Sequence, residues 1–372
     1  MIDKLIEGKL VTLLVGSVFR VVEIFVRTVH ITVRGIRLLV QDTVTTRIDA
    51  WLSGVGKRRV ARRARIDASS VVLIEQSGEY TGDVKYVAEE LLRRGTPVMI
   101  TWMLRDRSVG PFPRPFHFVR LGTADGFRSI ASAKVVVQSG RSLQELGAVP
   151  SAGQHWLQLG ADDAATLGSP RTDLLVSASA QTTAELRKKV LDRIGVADHG
   201  QRFVLYTPAH GDRRISPLSG VDYAAVRDSL AERFGGEWEF LIRTDIAGKA
   251  ASGALLAGLP AYCRNASIHP DLQELLVVAD AGIGDRSGWM ADFLLTGKPA
   301  FLFSTASAGV RAASTEEFTV AGSNEELVRA IEGFDETAHE AAAARFFERF
   351  GGGADGRAAS RVADRIEHLL AR

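Results

Sequence analysis

The chain has 372 residues, enough for two domains of ordinary size and an appendage. A single cysteine, Cys263, excludes an internal disulfide and a four-cysteine metal site, which fits a reducing compartment, and the eight histidines show no metal-ligand spacing. The formal net charge of +2 hides an asymmetry: residues 1–65 carry 13 Lys and Arg against 5 Asp and Glu, and the rest carry 33 against 39, so a basic head precedes a mildly acidic body.

The head comes first in chain order. Its first twenty residues include Asp3 and Glu7 and have no compact apolar core leading to a small-residue cleavage site, so it does not read as a cleavable signal. Its longest uncharged run, "LVTLLVGSVF", is ten residues. That is half of the ~20 a membrane-spanning helix needs. On a helical wheel, Lys9, Arg20, Glu23, Arg27, His30, Arg34, Arg37 and Gln41 fall in one sector about 80 to 100° wide, and the remaining surface is mostly Val, Leu, Ile and Phe. Such a helix must lay its apolar face on lipid, a second copy or the body of the protein. "KRRVARRAR", residues 57–65, follows with six basic residues in nine. An apolar face with a polybasic cluster is a two-signal pattern for anionic lipid, and residues 1–66 are expected to form an amphipathic membrane-association segment. The alternative is a helix packed in a homo-oligomer with a solvated basic linker. Nucleic acid is not expected as a partner, because no aromatic residues are interleaved with the arginines.

From residue 67 the pattern alternates. "SSVVLIEQ" predicts a strand, "DVKYVAEELLRRG" an amphipathic helix ended by Gly95, and "TPVMITWML" a second strand. "FHFVRL" and "AKVVVQS" predict further strands around a short helix at "DGFRSIAS", and "QTTAELRKKVLDRIG" predicts a helix ending at Gly195. The alternation then restarts: "RFVLYTP" strand, "VDYAAVRDSLAERFGG" helix, "WEFLIRT" strand, "ASIHPD" strand end and turn, "LQELLVVAD" helix. Two doubly wound α/β domains follow, residues 67–195 and 196–372, with ligands expected in the cleft at the carboxyl ends of the strands. No GxGxxG follows the first strand and no GxxxxGK[ST] occurs, so neither a dinucleotide oxidoreductase nor a P-loop NTPase is indicated.

The stretch "GDRSGWMADFLLTGKPAFLF", residues 284–303, reads as strand end, turn, helix and strand, with Ser287 at the helix N-cap. Free N–H groups and the helix dipole at such a start suit an anion, a phosphate above all; equally, Ser287 simply caps a helix.

Several stretches together resemble the CDP-glycerol glycerophosphotransferase family, the teichoic-acid and capsule polymer transferases built from two Rossmann-like domains of the GT-B type. "GDVKYVAEELLRRGTPVMITWML" is similar to the family segment in which Gly-Asn/Asp-x-Lys-Tyr opens a helix. "LGSPRTDLL", residues 167–175, is similar to its Gly-x-Pro-Arg-x-Asp, "FVLYTPAHGD" with Pro208 to its Tyr-Ala-Pro-Thr, and "SIHPD" to its His-Pro. Residues 275–303 resemble its Ala-Asp-x-x-Ile-x-Asp-Tyr-Ser-Ser, Asp-Phe and Gly-Lys-Pro. The likeness spans roughly residues 70 to 310.

The resemblance implies roles. Ser287 and the N–H groups near Gly288 would hold the diphosphate of a CDP-linked donor, Asp285 would orient the turn, and Asp292 would face the ribose. His269 would donate to the developing charge. Arg171 would either clamp a phosphate or tie the two domains together. The sequence also departs from the pattern. The family's Trp-His-Gly, whose histidine is the leading candidate for the acceptor-side base, is replaced in "GQHWLQLGADDAATLG"; the nearest histidine, His155, is the catalytic candidate left in that region, but it precedes Trp156, and strand alternation points the two to opposite faces. Arg286 and Gly288 stand where the family has Tyr and the second Ser, with Arg286 a candidate added phosphate ligand, and Ala209 stands for Thr. The implied function is transfer of glycerol phosphate or a related polyol phosphate from a CDP-activated donor to a glycan or lipid-linked acceptor at the cytoplasmic face of the membrane. No cofactor is implied. A GT-B glycosyltransferase using a nucleotide sugar, or an inactive membrane-bound relative, are the alternatives.

Overall fold

The computed structural model describes residues 64–372 except 106–111, 141–142, 144–147, 161–166, 209–217, 219, 245–255, 257, 285–287, 304–317, 319 and 351–353. Residues 1–63 are not among them, so the expected amphipathic membrane-binding segment lies outside the described residues. No helix among the described residues is long and apolar enough to cross a membrane.

The first domain opens with β1 (Asp67–Ile74), in which Val71, Val72, Leu73 and Ile74 are all fully buried. Such a continuous apolar run suits a parallel strand covered on both faces. Helix α1 (Gly82–Arg94) follows and stops at Gly95, whose left-handed backbone (φ 65°) lets its N–H reach the carbonyls of Leu91 and Leu92. Then come β2 (Met99–Leu104), β3 (His117–Arg120), α2 (Ala124–Ser132), β4 (Ala133–Ser139) and β5 (His155–Leu159). These strands form one parallel sheet in the order β3-β2-β1-β4-β5.

A 3-10 turn at Pro170–Thr172 leads into α3 (Asp173–Ser177) and α4 (Ala180–Ile194). The second domain adds β6 (Arg202–Thr207), α5 (Tyr223–Phe234), β7 (Trp238–Ile242), β8 (Cys263–Asn265), a 3-10 turn at Ala266–Ile268, α6 (Leu272–Val278) and β9 (Ala281–Gly284). It continues through α7 (Gly288–Leu294), β10 (Ala300–Phe303), β11 (Val320–Ala321) and α8 (Asn324–Glu332), and the chain ends with α9 (Glu336–Phe350) and α10 (Ala358–Leu370). The second sheet, also parallel, runs β11-β10-β9-β6-β7-β8. Counted from its own first strand, each sheet has the Rossmann order, and the direction of winding reverses between β1 and β4 and between β6 and β9. Two Rossmann-like domains are therefore present, as expected. "ASI", read as a strand end, is a 3-10 turn; the strand before it is Cys263–Asn265.

Two helices, α4 and α10, pack across the expected boundary between residues 195 and 196. Val190 and Leu191 of α4 pack with Phe203, Leu205 and Leu241 of the second sheet. Conversely, Val362, Ala363, Ile366 and Leu369 of α10 pack with Val84, Val87 and Leu91 of α1 in the first core. Asp173 receives the first N–H groups of α10, from Ala358 and Ala359 at 3.0 and 2.7 Å, and Arg94 of α1 binds Asp364 and Glu367 at 2.6 and 3.0 Å. Each apolar stripe fits the sheet it can reach, and sequence adjacency does not decide which one that is.

Candidate active site

Two side chains of "GDVKY" carry α1 to the second domain. Lys85, buried, binds Asp271 at the start of α6 and donates to Glu274 Oε1 at 2.6 Å. Lys189 of α4 donates to the same Glu274 oxygen at 2.6 Å, the Tyr86 hydroxyl donates to Asp271 at 3.0 Å, and His269 Nε2 lies 2.9 Å from Glu274 Oε2. Burial opposes ionisation of Glu274, but the hydrogen bond from His269 and the ammonium groups of Lys85 and Lys189 outweigh it and hold its carboxyl well below the usual range. Burial likewise works against the Lys85 ammonium, and Asp271, Glu89 and Glu274 more than offset it. Local sequence sets this up: Asp271 caps α6 through the Gln273 N–H at 3.0 Å, which places Glu274 one turn along, under His269.

The other half of the network is built on Arg171. Its Nη1 binds Asp83 Oδ2 at 2.8 Å, its own N–H binds Asp83 Oδ1 at 2.9 Å, and its Nε binds Asp292 Oδ2 at 2.8 Å. Gln273 Nε2 donates to the same Asp292 oxygen at 2.9 Å. Asp83 belongs to the first domain and Asp292 to α7 of the second, so one guanidinium joins them. A planar fork suits two carboxylates on opposite sides.

Against this network lies a cavity of about 680 Å³, bounded by α1, α4 and the start of α6 and lined by Tyr80, Lys85, Lys188, Arg193, His269 and Pro270 among others. Its size falls in the range of small-ligand sites. His269 is 2% exposed, and its Nδ1 is buried without a hydrogen-bond partner among the described residues. Arg243, just past β7, holds the carbonyls of His269 and Pro270 at 2.8 and 3.2 Å, which fixes the His-Pro segment.

Beside the network, α7 closes on β9 because two glycines leave it room. A Cβ on Gly284 would stand 2.1 Å from Trp289, and one on Gly282 would stand 2.8 Å from Phe293. Gly288, which opens α7 at the carboxyl end of β9, is exposed, with nothing within 4 Å of an added Cβ. Asp285, Arg286 and Ser287 lie outside the described residues. Pro208 follows the carboxyl end of β6 and is half-buried.

The structure therefore brings His269, Arg171 and Asp292 into one network. Asp292 is buried, and its carboxylate accepts hydrogen bonds from Arg171 and Gln273 at the contact between the domains. Arg171 takes the domain-tying role. His155 is not brought to this site. It begins β5, at the amino end of a parallel edge strand, where burial and the charges of Lys134, Arg372 and Arg365 pull its pKa down. Sequence reasoning gave no role to Asp83, Lys85, Lys189, Gln273 or Glu274. Asp83 and Lys85 stood in a quoted motif, and Glu274 stood five residues beyond His269, but charged residues near a helix start usually face water. Lys298 of "GKP" has a structural role: it donates to the Val277 and Ala279 carbonyls at the end of α6, both at 2.6 Å.

Comparison with known proteins identifies the family and the fold. Residues 154–368 match the family described as CDP-Glycerol:Poly(glycerophosphate) glycerophosphotransferase. Among solved structures, the wall teichoic acid polymerase TagF is similar, with a TM-score of 0.63, 17% identity and coverage of 82% of this chain and 90% of that chain. A TagF variant soaked with CDPG gives a TM-score of 0.68 at 16% identity, covering 88% of this chain and 95% of that chain. No curated protein sequence matches significantly. With two Rossmann-like sheets, a motif network joining them and a family match over more than half its length, the chain belongs to the CDP-glycerol:poly(glycerophosphate) glycerophosphotransferase family and is an enzyme of that type.

Proposed function

We propose that this enzyme transfers glycerol phosphate, or a related polyol phosphate, from a CDP-activated donor to a hydroxyl of a cell-envelope glycan or lipid-linked acceptor and releases CMP. The observation that carries the reading is the convergence of four family segments, "GDVKY", "SPRTD", "HPD" and "MADF", on one junction between the domains. The acceptor oxygen attacks the glycerol-bearing phosphorus in line. Such a transfer depends on positioning and fixed positive potential, and needs no redox cofactor. His269 donates to the charge that develops on the phosphates. The donor diphosphate is held by Asp285, Arg286 and Ser287 together with the exposed start of α7 at Gly288, and Pro208 contributes to the same donor site. A CDPG-soaked TagF variant of similar fold supports the choice of donor.

Residues 1–65 hold the enzyme on the anionic, cytoplasmic surface of the membrane, where a lipid-linked acceptor would be presented. Self-association through the apolar face of the same segment is the competing use. Incubation with CDP-glycerol and a lipid-linked acceptor, with assay of CMP, tests the reaction. CMP release that needs both substrates is expected. A thermal shift with uridine or guanosine diphosphates and none with cytidine nucleotides would point to a nucleotide-sugar glycosyltransferase instead.

A further inference from the structure

Glu75 directly follows β1, at the carboxyl end of the first sheet and beside its reversal point with β4, where open α/β sheets bind ligands. Its neighbours are built around its carboxyl. Gln76 N–H donates to Glu75 Oε1 at 3.0 Å and to Ser139 Oγ, at the end of β4, at 3.2 Å. Gly82, with φ 68°, presents bare backbone where a Cβ would lie 2.6 Å from Glu75 Oε2. Gly140, with φ 66°, does the same for Gln76, where a Cβ would lie 2.2 Å from the side-chain oxygen. Glu75 Oε2 is buried and has no hydrogen-bond partner among the described residues. Buried oxygens are rarely left so, and those that are need a reason.

The charged group facing Glu75 is Asp83 of α1, the residue that Arg171 ties to the second domain; from β4 it meets the hydroxyl of Ser139. Burial pushes the Glu75 carboxyl up to about 7, against the hydrogen bonds from Ser139 and Gln76. A base poised there is half ionised near neutral pH, which suits proton transfer. His155, the histidine that the sequence offered for this task, sits at the other end of its strand.

We propose that Glu75 is the catalytic base of the first domain. Resting on the transferase reading above, the step is as follows. The Glu75 carboxylate takes the proton of the acceptor hydroxyl, that oxygen forms a bond to the glycerol-bearing phosphorus, and the P–O bond to the second phosphate breaks, its electron pair leaving with CMP. Glu75 ends as the neutral acid and passes its proton to water.

The test compares the full-length wild type with Glu75→Gln and Glu75→Asp, measuring CMP release across pH and CDP-glycerol affinity by titration. For the wild type, kcat/KM should rise with unit slope to a plateau above about pH 7; Glu75→Gln should lose ~10²- to 10⁴-fold in turnover together with that acid limb, and Glu75→Asp should fall between them. CDP-glycerol affinity should stay within about twofold of wild type in all three, as expected for a group acting on the acceptor. A Glu75→Gln enzyme that turns over normally, that keeps the acid limb, or whose loss lies wholly in donor affinity overturns the proposal. A wild type that binds no CDP-glycerol and releases no CMP overturns the transferase reading and this step with it, a different result from an active wild type indifferent to Glu75.

Discussion

A carboxyl that ionises less readily in the folded chain than in the unfolded one lowers stability as pH rises, and Glu75 is such a group. Its pKa moves from an ordinary 4.5 to about 7, so between those values the unfolded chain releases its proton first and gains on the native state. The full difference corresponds to about 3 kcal/mol. Glu75→Gln removes it. The variant should therefore be more stable than wild type at pH 8, by up to about 3 kcal/mol, and indistinguishable at pH 4. Urea unfolding at the two pH values checks this, and an equal gain at both would rule out an ionisation origin. His269 presents the opposite balance, since its Nε2 is bonded to Glu274 and its removal leaves that carboxylate to the two lysines. His269→Ala should lower turnover by ~10²- to 10⁴-fold. The accompanying loss of stability should be about 1 to 3 kcal/mol, the scale of a hydrogen bond to a charged group. Normal CMP release by this variant would remove His269 from the reaction.

The helices are arranged by what they must cover and by which end they present. α1 turns Val84, Val87 and Leu91 to the first core, which leaves Asp83 and Lys85 at its start for the second domain. Arg171 is the piece that makes α1 and α7 one unit. Arg171→Ala leaves Asp83 and Asp292 facing each other with side chains only 5% and 11% exposed. Unfolding should become easier by about 3 kcal/mol, the low end for breaking a buried pair, because the arginine itself keeps 33% of its exposure. Arg171→Lys should recover only part of this, since an ammonium cannot match the fork. Denaturant titration of the three proteins gives the order, and equal stability of all three would show that the link contributes nothing. Acidification should help Arg171→Ala more than wild type. Burial already pushes Asp292 upward despite Arg171, and without the arginine only the hydrogen bond from Gln273 opposes that rise among the described residues.

At the scale of the molecule, removal of residues 1–65 takes away the +8 head and leaves the first residues of β1 in place. The shortened protein should fold and should no longer float with anionic liposomes, whereas the full chain should float with anionic but not neutral vesicles. Unchanged flotation after truncation would locate membrane binding elsewhere. Periodicity alone determined most of the architecture, because parallel strands covered on both faces must be continuous apolar runs such as "VVLI" and "FVLY", and glycines such as Gly95 and Gly195 mark helix ends. Motif order likewise marked His269 and Arg171. Two decisions belonged to the tertiary structure. Which sheet a helix covers was one: α4 and α10 each carry an apolar stripe, α4 lays it on the second core and α10 on the first, and the Arg94 contacts hold α10 to α1. Which polar groups meet was the other. Asp83 and Arg171, 88 residues apart, and Lys85 and Glu274, 189 apart, become partners only once both sheets are wound, and no local pattern encodes a contact at that separation.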